Sequence, residues 1–331
     1  MIQKILVFEF ITGGGFSQKE LPESLAKEGM LMLKALVDEL TLLTDTQVTI
    51  ALDWRIKNFE LPKNAKAVVV SSDQCIYDLL PKLIADADLV WPVAPEMEGA
   101  LQKVTDLAEK KSKKLLNSSS QAVAICSDKL ATIQCLHKQK ISSVEGVQLD
   151  QFSEEFKAPW VIKPKDGAGC LNSYFVSDCK ELIRIGNQLE TKCDYLIQPY
   201  IKGISLSLSC LFREGKAWML CCNRQLISIV DGKFELDSCI VNIADENDID
   251  YQGLINRVVS AIPGLFGYVG IDFMLPELGE AMILEINPRL TTSYVGINQA
   301  IGFNVAKAVV ELFQVDPIIV KTHNQQIIVS I

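Results

Sequence analysis

The chain has 331 residues, of which 49% are hydrophobic and 22% are charged, and its formal net charge is −9. Its length and composition are those of an ordinary globular protein with two or three domains. The acidic charge argues against a general nucleic-acid-binding protein, because affinity for a phosphate backbone depends on clustered Lys and Arg side chains, and it leaves room only for a local basic pocket.

The first third of the chain alternates predicted strands with predicted helices. KILVFEF at residues 4–10 is typical of a buried strand that stops at TGGG, and a helical stripe of leucines follows from Leu25 to Leu43. The next predicted elements are strands at Val48–Leu52, Ala67–Val70 and Asp88–Trp91, a helix from about Asp73 to Ala87, and a loop, PVAPEME, at residues 92–98. This alternation predicts a small parallel sheet, covered on both faces, up to about residue 117.

The polar segment NSSSQ at residues 117–121 predicts a domain boundary. Ser127 is then expected to cap a helix that begins with SDKLAT. From Trp160 onwards strands and hairpins dominate, including WVIKP, YLIQPYI, SLSLSCLF, AWMLCC, YVGIDFML and AMILEIN, with helices near Cys179–Leu189, Tyr251–Ala261 and Phe303–Phe313. This pattern predicts an α+β region rather than a continuation of the parallel sheet.

YVGIDFML and AMILEIN are separated by the turn PELGE, which predicts a hairpin. If the hairpin is symmetric about residues 278 and 279, Asp272 faces Glu285 across the ladder. Two opposed carboxylates destabilise a sheet, and a hard cation such as Mg²⁺ would resolve that conflict, with Asn287 as a neutral oxygen ligand. The alternative is that Glu285 and Arg289 form a plain ion pair at the strand end.

A cation of this kind implies a phosphate ligand. The chain has no GxxxxGK[ST] motif, which excludes a P-loop NTPase, and no GxGxxG follows the first strand. In VIKPKDGAG, a strand delivers Lys163 and a loop follows with Gly167 and Gly169, whose backbone N–H groups can close over a polyphosphate. Lys129, in SDKLAT, is a second candidate. Alone, the VIKPKDGAG segment is equally compatible with an ordinary turn that carries two solvated lysines, and Lys129 alone is typical of a surface lysine.

Taken together, these motifs resemble those of the ATP-grasp superfamily, in the same order and over roughly residues 118–313. The resemblance implies an α/β plus α+β fold. A Rossmann-like parallel-sheet domain at residues 1–117 would precede an ATP-grasp domain at residues 118–331. The latter would consist of two α+β subdomains, a lid at about 125–200 and a C-terminal subdomain at about 201–331.

The resemblance also implies ATP as the nucleotide, Mg²⁺ or Mn²⁺ as the metal, and a role for each matching residue. The implied ATP-binding residues are Lys129, Lys163, Asp166, Gly167, Ala168 and Gly169 for the phosphates and Gln198, Pro199, Tyr200 and Ile201 for the adenine. The implied metal ligands are Asp272, Glu285 and Asn287, and the implied catalytic residues are Arg289, Arg224 and Lys163. Many members place a ribose-binding Glu shortly after the hinge glycine, where this chain offers only Ser205. In the implied reaction, a carboxylate attacks the γ-phosphate of ATP, and an amine then displaces phosphate from the acyl phosphate.

At finer grain, FEFITGGGF, VAPE, SDKLAT and EINPRLTTSY resemble segments of the tyramine–L-glutamate ligase family of methanofuran or methylofuran biosynthesis. This implies that the γ-carboxyl of glutamate is joined to tyramine or a related aromatic amine. The substrate-binding candidates are Gly13, Gly14, Gly15, Glu96, Thr292 and Ser293. Glu96 or Glu98 could pair with an ammonium group, and Glu96 could equally be a carboxylate at a helix N-terminus. Ser205, Ser207 and Ser209 are expected to form a small-residue strand face that could line the site.

Three other interpretations stay open at this point. They are a dipeptide ligase of the D-alanine–D-alanine type, a glutamate-adding enzyme, and a nucleotide-binding module without catalysis, against which the metal-ligand set argues. We expect small-molecule substrates and neither a nucleic-acid nor a membrane partner. The sequence leaves the oligomeric state open, a homodimer included.

The ten cysteines form no CxxC pair, and several lie in apolar runs, where a thiol behaves as a small hydrophobe. We therefore expect reduced, structural thiols. The N-terminal segment lacks a basic region before its apolar run, which Glu9 interrupts, so a signal peptide is not expected. No uncharged apolar run reaches the roughly 18 residues that a membrane span requires. These features predict a soluble, cytoplasmic protein.

Overall fold

The structure is a computed structural model that describes residues 2–153, 156–167, 169–244, 249–277 and 279–331. In these residues the strands form a five-stranded sheet and a ten-stranded sheet. No helix among them is both long and apolar enough to cross a membrane.

The five-stranded sheet is parallel, as the alternating pattern predicts. Its strands are β1 (Gln3–Glu9), β2 (Thr46–Asp53), β3 (Ala65–Val70), β4 (Leu89–Val93) and β5 (Lys114–Leu115), and its helices are α1 (Glu23–Thr41), α2 (Ile76–Ala85) and α3 (Ala100–Lys110). Side chains alternate between the faces of a strand. Ile5 and Val7 therefore pack on the face that carries α1, and Leu6 and Phe8 on the face that carries α2 and α3. A sheet covered on both faces explains why β1 is an uninterrupted apolar run.

The strand order is β3-β2-β1-β4-β5. Strands β2 and β3 are therefore added on one side of β1, and β4 and β5 on the other side. The loops after β1 and β4 diverge at this switch point, and such a divergence opens a crevice at the carboxyl ends of the strands. The loop after β1 begins with a π-helical turn, Ile11–Gly15. Gly14 has a φ of 96° there, and a Cβ at this position would lie 2.8 Å from the Cβ of Val70, so only glycine fits.

The ten-stranded sheet is antiparallel, with the order β14-β13-β10-β11-β12-β8-β7-β9-β6 and with β15 paired to β12. Its strands are β6 (Val147–Gln148), β7 (Trp160–Pro164), β8 (Tyr174–Val176), β9 (Tyr195–Pro199), β10 (Gly203–Arg213), β11 (Lys216–Val230), β12 (Lys233–Val241), β13 (Gly267–Pro276), β14 (Met282–Asn287) and β15 (Ile327–Ser330). The helices of this region are α4 (Ser120–Ser127), α5 (Lys129–Lys138), α6 (Cys179–Gly186), α7 (Tyr251–Ala261), α8 (Tyr294–Ile301) and α9 (Val305–Glu311).

The largest apolar core is built by both ends of the chain. Side chains of α1 such as Leu36 belong to the same buried cluster as Ile297 of α8 and Val309 of α9. Within it, the buried carboxylate of Glu39 accepts hydrogen bonds from the hydroxyl of Tyr294 at 2.9 Å and from the backbone N–H of Ala306 at 2.8 Å. The predicted division at residues 117 and 118 stays a proposal, and this core spans it.

One prediction about the region after residue 117 is wrong in detail. Asp128, and not Ser127, caps α5, because its Oδ1 accepts from the N–H groups of Leu130 at 2.8 Å and Ala131 at 3.0 Å. Ser127 instead ends α4, which Ser119 caps, so the polar NSSSQ segment leads directly into a helix. Polar side chains that favour a loop also favour a helix N-cap, and in this segment Ser119 caps α4.

Candidate functional site

Asp272 and Glu285 face each other in the β13–β14 ladder, which confirms the predicted pairing. The register is not symmetric up to the turn, because a bulge between Asp272 and Phe273 shifts it so that Phe273 faces Ile283. Residue 278, in the predicted turn, lies outside the described residues. Both carboxylates line a cavity of about 150 Å³, which we name the central cavity. Asn287, at the end of β14, lines the same cavity, and its Nδ2 donates to Oδ2 of Asp272 at 3.0 Å.

The two opposed carboxylates differ in their electrostatic surroundings. Burial, together with the negative charge of Glu285, raises the pKa of Asp272. Burial alone would raise the pKa of Glu285 as well, but the charges of Lys129 and Lys163 outweigh it and lower that pKa. In the cavity, Glu285 is therefore readily ionised, whereas ionisation of Asp272 costs free energy. A bound cation would reduce that cost.

Lys129 and Lys163 also line the central cavity. The Nζ of Lys129 lies 3.3 Å from Oε2 of Glu285 and donates to the backbone carbonyl of Gly167 at 2.7 Å, so it ties the glycine loop to the hairpin. Burial lowers the pKa of Lys163 to about 8. An ion pair between Glu285 and Arg289, the plain alternative considered above, is not what the structure shows.

Arg289 instead forms a bidentate ion pair with Glu96, from Nε to Oε1 at 2.9 Å and from Nη2 to Oε2 at 2.7 Å. The side chain of Glu96 is only 5% exposed, and the guanidinium still lines the central cavity. Glu96 stands at the N-cap position of the 3₁₀ turn Met97–Gly99, but its side chain makes no capping hydrogen bond, and Arg289 engages both of its oxygens. A contact of Glu96 with substrate stays a proposal. The position of Glu96 makes it a support for Arg289.

A second cavity, of about 390 Å³, adjoins the central cavity and shares Lys163, Ser205 and Leu284 with it. We name it the hinge cavity because residues 198–201 line it, together with apolar side chains of the two facing strands. The N–H of Tyr200 donates to the carbonyl of Pro159 at 2.9 Å, so this amide is engaged within the protein. The shared walls allow one extended ligand to occupy both cavities.

Polar residues of the hinge cavity partly match the predictions. The hydroxyl of Ser205 donates to Oε1 of Gln225 at 2.8 Å. Arg224 is exposed and lines the hinge cavity, but it does not belong to the lining of the central cavity. Asp237 also lines the hinge cavity and was missed, because an acidic residue in an alternating strand is typical of an ordinary solvent-facing position.

The structure brings most of the predicted residues together. Those that line the central cavity are Lys129, Lys163, Gly167, Gly169, Ser205, Asp272, Glu285, Asn287, Arg289, Thr292 and Ser293. Ser207 lines it too, whereas Ser209 is buried and bonds to the hydroxyl of Tyr268 at 2.9 Å. Ala168 lies outside the described residues. Glu28 of α1 was missed, although it lines the cavity and accepts a hydrogen bond from the hydroxyl of Thr292, because nothing local in the α1 sequence marks it.

Three predicted residues lie elsewhere. Gly14, Gly15 and Asp166 line a third cavity, which adjoins the central one through Gly167 and Pro164. Gly13 packs beneath the ring of Phe8, where a Cβ would lie 3.0 Å from Cε2. Gly13 thus has a packing reason to be glycine and is not among the lining residues.

The donor set of the central cavity fits Mg²⁺. Among the described residues no three His, Cys, Asp or Glu side chains converge as a metal site, and the predicted set has two carboxylates and one amide oxygen. Mg²⁺ is commonly held by one or two carboxylates together with substrate phosphates and water. The raised pKa of Asp272 beside Glu285 reflects an unfavourable second negative charge, which such an ion would neutralise.

A family model described as the ATP-grasp domain matches residues 126–293, and one described as the pre ATP-grasp 3 domain matches residues 46–123. A curated relative, tyramine--L-glutamate ligase from Methanocaldococcus fervens, is 28% identical over 88% of this chain and 89% of its own length. A solved structure from Archaeoglobus fulgidus, assigned to the ATP-grasp superfamily, has a TM-score of 0.74 and 25% identity and covers 99% of this chain and 92% of its own.

A biotin carboxylase domain from Hydrogenobacter thermophilus, solved with MgADP, has a TM-score of 0.73 over 97% of this chain and 72% of its own, and at 15% identity it shows the fold alone. The family match covers about half of the chain, within which the opposed carboxylates, the two lysines and Arg289 share one cavity. The chain therefore belongs to the ATP-grasp family, as an ATP-dependent carboxylate–amine ligase.

Proposed function

We propose that this protein joins the γ-carboxyl of glutamate to the amine of tyramine, or of a closely related aromatic amine, in methanofuran or methylofuran biosynthesis. The observation that carries the proposal is the central cavity, in which two opposed carboxylates face two lysines and an arginine. The choice of substrates is supported by the similarity to tyramine--L-glutamate ligase along most of the chain.

ATP would occupy the two adjoining cavities. The hinge cavity offers the adenine an apolar enclosure beside residues 198–201, and the shared wall at Lys163 leads the phosphates into the central cavity. Asp272, Glu285 and Asn287 would hold Mg²⁺, which supplies neutralisation of the phosphate charge when bound. Mn²⁺ is expected to substitute, since it also prefers oxygen ligands in octahedral geometry.

The reaction then proceeds in two displacements. A γ-carboxylate oxygen of glutamate attacks the γ-phosphorus of ATP, and the bond to the ADP oxygen breaks, giving a γ-glutamyl phosphate and ADP. The nitrogen of the deprotonated amine next attacks the acyl carbon, the bond to the phosphate oxygen breaks, and the amide and inorganic phosphate result. Lys129, Lys163 and Arg289 stabilise the negative charge on the transferred group, so their main task is positioning and electrostatic stabilisation.

Thr292 and Ser293 are our candidates for contacts to the acid substrate, because they line the central cavity beside Arg289. We place the reaction in the cytoplasm, where ATP is abundant and where the ten cysteines, all free in the structure, would stay reduced. A homodimer stays a prediction.

The test is ADP release with glutamate and a panel of aromatic and aliphatic amines, followed by product mass. Glutamate alone should support at most slow ADP formation, because water must be kept from the acyl phosphate. Tyramine should accelerate it strongly, because the acceptor is then held in line. A stronger response to alanine than to tyramine would replace the proposal with a dipeptide ligase, and no ADP release with any mixture would indicate a nucleotide-binding module.

A further inference from the structure

A third cavity, of about 600 Å³, lies where the loops of the first sheet meet the glycine loop, and we name it the N-terminal cavity. Its lining includes Phe10 and residues 14–19 after β1 and Met97 and Glu98 after β4, which belong to the two loops that diverge at the switch point. A crevice at this point of an open parallel sheet is a common ligand site. Its volume falls in the range of about 300–1,000 Å³ that is typical of small-molecule sites.

Aromatic rings form much of the apolar wall of the N-terminal cavity. Phe10 lies at the centre of a small cluster, with ring centroids 5.8 Å from Phe16 and 6.4 Å from Tyr77. Tyr174 and Tyr195 line the cavity from the second sheet. Rings arranged in this way suit a flat apolar ligand, which gains edge-to-face and stacked contacts in addition to burial.

The polar part of the lining carries more negative than positive side chains. The acidic residues are Glu98, Asp166, Glu190 and Asp194, and the basic ones are Lys19 and Lys103. The ammonium group of Lys103 already has partners within the protein, because its Nζ donates to the carbonyl of Glu98 at 2.9 Å and lies 5.7 Å from the ring centre of Tyr77. Such a rim favours a ligand with a positive charge.

The acidic rim meets the central cavity at the glycine loop. The backbone N–H of Glu98 donates to Oδ2 of Asp166 at 3.3 Å, which joins the loop after β4 to the glycine loop. Gly167, the next residue, lines both cavities. A cationic group bound beside Asp166 would therefore lie next to the place where the acyl phosphate forms.

We propose that the N-terminal cavity is the acceptor site and takes an aromatic primary amine, with its ring against Phe10, Phe16 and Tyr77 and its ammonium beside Glu98 and Asp166. This inference rests on the proposed function and adds the place of the second substrate. The bound ammonium releases one proton to water through the open rim, and the lone pair of the resulting amine attacks the acyl carbon. The phosphate then leaves with the electrons of the broken C–O bond and takes up the second proton of the nitrogen, which leaves the neutral amide.

The experiment measures the KM of wild type and variants for phenethylamine, propylamine, glutamate and ATP. In Tyr77→Ala the KM for phenethylamine should rise about tenfold, because the bound ring loses roughly one aromatic contact and the burial that goes with it. The KM values for propylamine, glutamate and ATP should stay within about twofold of the wild-type values. Tyr77→Phe restores the ring and should recover the affinity for phenethylamine that Tyr77→Ala loses. Glu98→Gln should raise the KM for both amines alike, and Glu60→Gln, at an exposed acid outside the three cavities, should change nothing.

Equal losses for phenethylamine and propylamine in Tyr77→Ala, or no loss for either, would overturn the cavity assignment while ligation by the wild type still supports the proposed function. If Tyr77→Ala melts at a clearly lower temperature, Phe16→Ala serves the same comparison. If the wild type ligates no aromatic amine, the proposed function fails, and saturation-transfer NMR with phenethylamine decides the site. Binding that Tyr77→Ala abolishes supports it, and binding that is absent or unchanged overturns it.

Discussion

Glu285 stands between two partners, since it faces Asp272 across the hairpin and lies 3.3 Å from the Nζ of Lys129. In Glu285→Gln, a charge that neutralises Lys129 and would hold the metal is lost. We expect the rate of ADP formation to fall by about a hundredfold or more, as when one preorganised electrostatic group is removed from an active site. Steady-state kinetics measure this loss, and circular dichroism checks that the fold is retained.

Glu277→Gln is the matched control, because Glu277 ends the other strand of the same hairpin and pairs with Lys202 on the surface, where its side chain is 73% exposed. It should retain normal turnover. Near-normal ADP formation in Glu285→Gln would contradict the metal assignment.

Glu9 makes stability depend on pH. Burial, with a small contribution from Glu28, raises its pKa from 4.5 to about 7, against the hydrogen bonds that it accepts from Thr12 and Ile11. Between these pH values the folded protein holds a proton that the unfolded chain has released, so this group lowers the free energy of unfolding as the pH rises from about 4.5 to about 7. Urea denaturation at pH 5, 6 and 7.5 should show a flatter dependence for Glu9→Gln than for wild type. Glu60→Gln, which alters an exposed acid, is the control and should show the pH dependence of wild type. If the free energy of unfolding of Glu9→Gln and of wild type changed in parallel with pH, Glu9 would be excluded as the source of the dependence.

At the residue scale, the pairs that sequence reasoning can find are local ones. The two-residue side-chain period and a symmetric hairpin predict that Asp272 faces Glu285, as observed. The bulge between Asp272 and Phe273, which also shifts the register of this hairpin, is not visible in the sequence. Glu96 and Arg289 are 193 positions apart, and a single sequence contains no signal that relates them. For that reason, the sequence predicts a substrate contact for Glu96 and does not reveal its ion pair with Arg289.

The end of β14 and the loop after β4 are joined by this buried ion pair. Removing one partner of such a pair leaves an uncompensated charge, which typically costs about 3–5 kcal/mol of stability. Glu96→Ala should therefore lower the urea midpoint markedly and should also slow ADP formation, since Arg289 loses its support. The comparison is Glu277→Ala, which breaks the exposed pair with Lys202 and should cost at most about 1 kcal/mol. Equal midpoints for the two variants would mean that the Glu96–Arg289 pair is dispensable to the fold.

At the element scale, some elements were predicted with their observed bounds, as for α7 at Tyr251–Ala261. Others were not: the strand AWMLCC extends to Lys216–Val230, and α3 was not predicted. The pattern did not reveal α8, because YVGINQAI is short and contains a glycine and β-branched side chains, which lower helix propensity. Packing of Ile297 and its neighbours against α1 stabilises that helix, and such tertiary contacts are not visible in local sequence.

At the scale of the whole molecule, the fold class follows from alternating patterns and from motif order, but the arrangement of the sheets does not. The ten-stranded sheet pairs strands that are far apart in sequence, such as β12 with β15, and no turn signal indicates which distant strands become neighbours. The same limit applies to the largest core, which combines α1 with α8 and α9.

The shared core predicts cooperative unfolding. Because residues on both sides of position 117 contribute to one buried cluster, neither side can lose its packing alone. Thermal melting followed by far-ultraviolet circular dichroism and by tryptophan fluorescence should give coincident single transitions. Two separated transitions would show that the predicted domains unfold independently. Addition of MgATP should raise the midpoint, since a ligand that binds only the folded state stabilises it by mass action.

The contact of α1 with α8 and α9 also bears on how the protein is made. A ribosome releases the first sheet and α1 well before it has synthesised residues 294–311, which cover the outer side of α1. During that interval the apolar side chains of α1 and the carboxylate of Glu39 lack the packing and hydrogen-bond partners that residues 294–311 later provide. The nascent chain is therefore expected to depend on holding chaperones until its last helices emerge, and a stall late in translation would leave a species prone to aggregate.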